Sequence, residues 1–204
     1  MTLSLDTFYL PVALFAFSMS ATPGPNNVML TASGANYGFR RTVPHMLGIS
    51  SGFLSLIALV AAGLGALFLQ YPTLQTALKI AGSAYLLYLG WKIACTAPRR
   101  VDADSTDGRP LTYWQAATFQ YANPKAWVMA ISAVSAFTLT GSDYLLSAIA
   151  VSLVCAAVNL PSISLWAGFG VALGRLLRTP RAWRVFNVAM GALTAGCVVL
   201  IAFH

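Results

Sequence analysis

The chain has 204 residues, of which 58% are hydrophobic and 8% charged, and it contains no glutamate. A soluble domain carries about 25% charged residues, so this composition excludes a water-solvated globular surface. The net charge of +7 does not indicate nucleic acid. The basic residues sit in short clusters between apolar segments, the topogenic pattern of a membrane protein, and form no single basic face.

Long stretches lack Asp, Glu, Lys and Arg altogether: Asp6 to Arg40, Arg41 to Lys79, Asp143 to Arg175, and Arg184 to the end. A bilayer-spanning helix needs about 20 mostly apolar residues, so each stretch can hold a span. Residues 1–6 lack a basic n-region and a cleavage site, so no cleaved signal peptide is expected and the first apolar segment stays in the mature protein. Six spans are predicted, at about residues 8–30, 43–69, 76–95, 114–139, 144–173 and 183–203. A polar linker, residues 96–112, holds Arg99, Arg100, Asp102, Asp104, Asp107 and Arg109. Cys95, Cys155 and Cys197 match no metal-site spacing and no C-x-x-C motif, so they read as packing residues. Trp91, Trp114 and Trp183 read as interfacial belt residues.

Lysine and arginine mark the cytoplasmic side. They occupy the loops after spans one, three and five (Arg40 and Arg41; Arg99, Arg100 and Arg109; Arg175, Arg178 and Arg181) and are absent from residues 70–73, residues 140–143 and both termini. Both termini are therefore expected outside, in the periplasm of a Gram-negative cell, with the protein multi-pass in the inner membrane. The expected fold is all-α, a polytopic bundle of six transmembrane helices in one transporter domain. It is built as two inverted three-helix repeats, about residues 1–95 and 113–204, because an odd number of spans per half forces opposite orientations.

Two interruptions stand out. In Thr22-Pro23-Gly24-Pro25-Asn26-Asn27, two prolines within three residues remove two backbone donors and break the first span. Lipid cannot satisfy the freed carbonyls, so the break must face protein or a water-filled cavity. It is either a kink that shapes the bundle or a broken helix of the kind at which transporters bind substrate; Asn26 and Asn27 would supply uncharged donors and acceptors. The second interruption, Gln120, Asn123, Pro124 and Lys125, lies in the fourth span and mirrors the first. A lysine inside a span is by default a functional residue, unless it snorkels to the head groups. Asn159 and Pro161 interrupt the fifth span, where Asn159 either packs helices or lines a cavity. The titratable candidates for coupling or gating are Asp6, His45, Lys79 and Asp143, with Lys79 either meeting a substrate carboxylate or snorkelling outward.

Gly48-Ile49-Ser50-Ser51-Gly52 matches G-x-S-x-G, which would make Ser50 and His45 candidates for an intramembrane hydrolase. That motif requires a strand–turn–helix elbow, whereas here it lies in an apolar helix. Gly48/Gly52, Gly34/Gly38 and Gly170/Gly174 also satisfy G-x-x-x-G, a close-packing element, and permit a homodimer. A non-transporting scaffold subunit is disfavoured because it needs no polar interruption of its spans.

The Pro23-Gly24-Pro25-Asn26-Asn27 element, the segment from Gly34 to Arg40, Gly48, the Ala81 to Leu86 run with Leu89-Gly90, and Asn123-Pro124-Lys125 together resemble the LysE/RhtB family of exporters. The resemblance covers essentially the whole chain. It implies secondary-active efflux of amino acids or close derivatives, driven by proton motive force, and is nearest to the subgroup that exports cysteine and O-acetylserine. It implies no enzyme activity. Pro23, Gly24, Pro25, Asn26, Asn27, Gln120, Asn123, Pro124, Lys125 and Asn159 form the expected substrate site. No catalytic residue, cofactor, metal or nucleic-acid partner is expected; the expected partners are an amino-acid-like substrate and the lipid bilayer.

Overall fold

The computed structural model describes residues 4–64, 70–96 and 109–202. All the regular structure among them is helical. A π turn, Leu5–Tyr9, opens on Ser4, whose side chain accepts the Thr7 N–H, and leads into α1, Leu10–Ala21. The residue before a proline is driven to extended backbone, and Thr22 adopts φ −68°, ψ 143°. Pro25 then opens α2, Pro25–Tyr37, because proline is preorganised for a first helical position. The two helices meet at 62°.

Gly38, at φ 81°, ends α2 and starts α3, Phe39–Leu59, which runs on through a π turn, Val60–Leu64. Helix α4 is Pro72–Ala94. Helix α5, Tyr113–Ala122, begins with a reciprocal capping box between Thr112 and Gln115 and stops where Asn123 turns extended before Pro124. Helix α6, Pro124–Phe137, resumes at once. A 3₁₀ turn, Gly141–Asp143, leads into α7, Tyr144–Leu176, and α8 is Pro180–Ala202.

Among the described residues, three helical stretches are long and apolar enough to cross a membrane: Phe39–Leu64, Gly141–Leu176 and Pro180–Val199. The bent pair Leu5–Ala21 and Pro25–Tyr37 makes a fourth if taken as one span. The other two expected spans differ for identifiable reasons. Helix α4 carries Lys79 and Lys92. The α5–α6 pair is cut at Asn123, leaving α6 with 14 residues, short of the roughly 20 a span needs. The expected interruption at Pro161 is absent, because α7 runs through it. A single proline removes one donor, and a helix can run through it, as at Pro161, or stop, as at Pro124. The charged part of the linker, with Arg99, Arg100, Asp102, Asp104 and Asp107, lies outside the described residues.

The bundle is apolar outside and polar within. Leu14, Phe17, Ile80, Leu87, Leu153, Leu165 and Phe169 are exposed, while Asn27, Gln120, Asn123, Asn159 and Asn187 are buried. Exposed apolar surface on this scale marks contact with lipid. One apolar cluster joins Phe8 of the first π turn to Val12, Phe53, Leu56, Met129 and Val151 from α1, α3, α6 and α7. A second joins Met29, Leu86, Leu89 and Phe119 from α2, α4 and α5.

The closest helix contacts form over glycines, as membrane packing requires. A Cβ on Gly34 would lie 2.1 Å from the Ala167 carbonyl oxygen, and one on Gly170 would lie 2.1 Å from that of Thr31, so α2 and α7 touch backbone to backbone. Gly48 and Gly52 meet the carbonyls of Tyr113 and Ala117 on α5, and Gly90 and Gly191 join α4 to α8. These glycines serve the bundle itself. Gly38 belongs to a turn, with open space where its Cβ would stand. Trp183, expected in an interfacial belt, is buried beside Gly174, whereas Trp91 and Trp114 are exposed.

Gly170→Ala is expected to destabilise the protein by about 1–3 kcal/mol, the usual cost of overpacking. Gly168→Ala, whose Cβ would meet nothing within 4 Å, is expected to be neutral or stabilising, since alanine is the better helix former. Thermal unfolding of the two purified variants checks the contrast.

Candidate functional site

The site begins with the backbone groups that the prolines set free. Pro23 and Pro25 have no N–H, so the last carbonyls of α1 lose their helical partners. Side chains replace them. The Thr22 hydroxyl donates to the Met19 carbonyl at 2.8 Å. The Asn27 amide donates to the carbonyls of Ser20, at 2.9 Å, and Thr22, at 2.7 Å. From the other half of the chain, the Lys125 ammonium donates to the Thr22 carbonyl (2.7 Å), the Thr22 hydroxyl (2.8 Å) and the Pro23 carbonyl (3.3 Å). A cation at a helix C-terminus also complements the negative end of its dipole. Gly24 makes the approach possible, since a Cβ there would lie 2.9 Å from Lys125 Cδ.

The second break is resolved in the same way. Pro124 cannot donate to the Gln120 carbonyl, and the Asn123 N–H takes that role at 3.3 Å. The Lys125 N–H is diverted to Asn123 Oδ1 at 3.1 Å, and the Tyr121 carbonyl receives Trp127 Nε1–H at 2.8 Å.

The two breaks face each other. Asn26 Nδ2 donates to Gln120 Oε1 at 2.8 Å, and Gln120 Nε2 donates back to Asn26 Oδ1 at 3.3 Å. Beside them, Ser50 Oγ donates to Asn159 Oδ1 and Asn159 Nδ2 donates to Ser20 Oγ, each at 3.0 Å. This chain ties α3 to α7 and α7 to α1. Between these groups lies a cavity of about 360 Å³, counting the part open to the surroundings. Its polar wall is Ser20, Asn26, Asn27, Gln120, Asn123, Lys125 and Asn159, and its apolar wall includes Met19, Ile49, Phe53, Met129 and Ile163. Among the described residues, no Asp, Glu or His lines it.

The structure thus gathers at one cavity Gly24, Pro25, Asn26, Asn27, Gln120, Asn123, Lys125 and Asn159. Pro23 contributes its carbonyl to Lys125, and Pro124 sets the second break without lining the cavity. The coupling candidates lie elsewhere. Asp6 and Asp143 are exposed in the turns before α1 and α7, Lys79 is half-buried on α4, and His45 is buried beside a second cavity. Sequence reasoning missed Ser20 and the part Ser50 plays. The one available signal was a short hydroxyl within an apolar run. Ser50 bonds Asn159 rather than His45, and Gly48 and Gly52 pack on α5, so G-x-S-x-G here is a helix-packing element.

An apolar helical bundle folded around a polar cavity at two helix breaks has the build of a membrane translocator. The LysE type translocator family matches residues 17–203, and the chain belongs to that family. Among its relatives, a cysteine/O-acetylserine efflux protein of Shigella flexneri serotype 5b (strain 8401) is 32% identical over 197 residues, covering 94% of this chain and 98% of the relative. A cysteine/O-acetylserine efflux protein of Escherichia coli (strain K12) is 32% identical over 181 residues, covering 88% and 90%. No solved structure matches the chain. The family and these relatives are transporters, not enzymes.

Asn27→Ala strips the buried Ser20 carbonyl of its side-chain donor, while the Thr22 carbonyl keeps Lys125, and is expected to cost about 1–3 kcal/mol, the penalty of leaving such a group unsatisfied. Asp6→Asn and Asp143→Asn, at exposed positions, are expected to stay within about 0.5 kcal/mol of the parent. Thermal midpoints of the three variants measure the difference.

Proposed function

We propose that the protein is a secondary-active exporter that moves small amino acids or close derivatives, cysteine and O-acetylserine among them, from the cytoplasm across the inner membrane. The observation that carries this reading is the cavity at which the two broken spans meet, lined by amides and one lysine. A zwitterion needs donors for its carboxylate and acceptors for its ammonium. Asn26, Asn27, Gln120, Asn123 and Asn159 offer both kinds of group. The Lys125 ammonium is already held by backbone carbonyls. An arriving carboxylate competes for it, and an arriving ammonium takes over the carbonyls it leaves.

Such a competition couples binding to movement, because Lys125 joins the second half of the chain to the first. Releasing it loosens the end of α1 from the break before α6, the local step from which alternating access would proceed. The inverted-repeat reading, with six spans in one domain, draws support from the packing. The first half's broken span packs on α7 and the second half's broken span packs on α3, while α3 meets α7 and α4 meets α8. This is the exchange a two-fold axis in the membrane plane produces. The Lys/Arg bias places both termini outside. Proton motive force is the proposed drive.

Proteoliposomes preloaded with labelled O-acetyl-L-serine are expected to release it faster when a pH gradient is imposed. Asn27→Ala and Lys125→Ala are expected to abolish that release while still yielding protein in the membrane. Unchanged export by both variants would remove the site assignment, and no release by the parent of any small amino acid would remove the export reading. For topology, Ser142→Cys is expected to react with a membrane-impermeant maleimide on intact cells, and Arg178→Cys only after permeabilisation. The opposite pattern would invert the orientation.

A further inference from the structure

A second cavity lies on the linker side of the bundle and shares no lining residue with the first. It measures about 440 Å³, counting the part open to the surroundings. Helix α2 runs past both, offering Pro25 to Asn27 to the first and Asn36 and Tyr37 to the second. Two cations line the second cavity, Lys92 on the last turn of α4 and Arg109 before α5, and both are exposed. The lining contains no carboxylate among the described residues. His45, from α3, also lines it and is 1% exposed, yet neither ring nitrogen has a hydrogen-bond partner. More than nine in ten buried polar groups in proteins are paired, and His45 is the one buried side chain without a partner for its nitrogens among the described residues. The neighbouring amide is engaged, since Asn36 pairs with Asn187 at 2.8 Å.

We propose that this cavity is a carboxylate-binding station, where the exported amino acid docks from the cytoplasm before passing along α2 to the central site. The inference rests on the export reading above. Lys92 and Arg109 draw the carboxylate in by charge. An imidazole carries at least one N–H, whichever nitrogen holds it; both His45 nitrogens are buried in the wall, and a turn of the ring would bring that N–H to the carboxylate. The apolar groups of Met29, Leu89 and Leu111 line the rest and are indifferent to the ligand's side chain, as a station serving several small amino acids requires.

The chain has two histidines, so histidine-selective ¹⁵N labelling of the full-length protein in nanodiscs yields two imidazole signals, with His45→Gln assigning the pair. O-acetyl-L-serine and acetate, which carry a carboxylate, are expected to shift the His45 signal, and L-serinamide, which has none, is not. Lys92→Gln/Arg109→Gln is expected to raise the half-shift concentration about ten-fold or more, the usual worth of charged hydrogen bonds. Asn27→Ala, at the central site, is expected to retain the shift. No shift with either carboxylate, an equal shift with serinamide, or a shift unaffected by loss of both cations would each overturn the proposal. A shift with acetate alone would overturn its assignment to the exported substrate. The readout does not depend on transport. A carboxylate-selective shift in a protein that moves no amino acid would sustain the binding site and remove the export reading.

Discussion

The structure turns on a shortage of hydrogen-bond donors. Proline at 23 and again at 25 leaves the end of α1 with carbonyls that no helix can satisfy, in surroundings where water is scarce. Two of the groups that resolve the shortage, Asn27 and Lys125, also line the site. Asn27 reaches back from the first turn of α2, Thr22 gives its own hydroxyl to the Met19 carbonyl, and Lys125 crosses from the other half of the chain. Part of the cavity wall is thus made from the repair of a broken helix.

The same arrangement explains how a rigid bundle can hold a movable contact. Glycine-mediated backbone contacts between α2 and α7, α3 and α5, and α4 and α8 leave little room for sliding. At the cavity the halves are joined instead by side-chain hydrogen bonds, Lys125 to the end of α1 and Asn26 to Gln120. These are bonds a small polar ligand can replace one for one. On the proposed mechanism, substrate binding therefore acts first on the contact between the end of α1 and the break before α6, while the glycine contacts, which also run between the halves, hold.

Much of this was legible in the residues, and the parts that were not share a cause. Charge depletion compels a membrane-embedded reading, whatever the tertiary structure. The Pro-Gly-Pro break is equally legible, because a missing N–H is a property of the residue itself. Asn26, Asn27 and Lys125 stood out because polar groups are rare in such segments. Partnership was not visible. That Lys125 docks on Thr22 and Pro23, that Asn159 links Ser20 to Ser50, and that Asn36 meets Asn187 all depend on contacts between distant parts of the chain. Pro161 misled because a single proline can sit inside a continuous helix, as Pro44 and Pro161 do, or end one, as Pro124 does. Trp183 misled because the room left by Gly174 drew it inward.

The central claim is that a small amino acid occupies the cavity between the two breaks. The most direct test is substrate protection of a single cysteine, introduced as Met129→Cys on the cavity wall in a chain whose own three cysteines have been replaced. O-acetyl-L-serine should slow its reaction with a small methanethiosulfonate in a saturable way, and should leave Leu165→Cys, on the exposed face of α7, unaffected. A rate at Met129→Cys that ignores every small amino acid tried, in protein that still exports one of them, would contradict it.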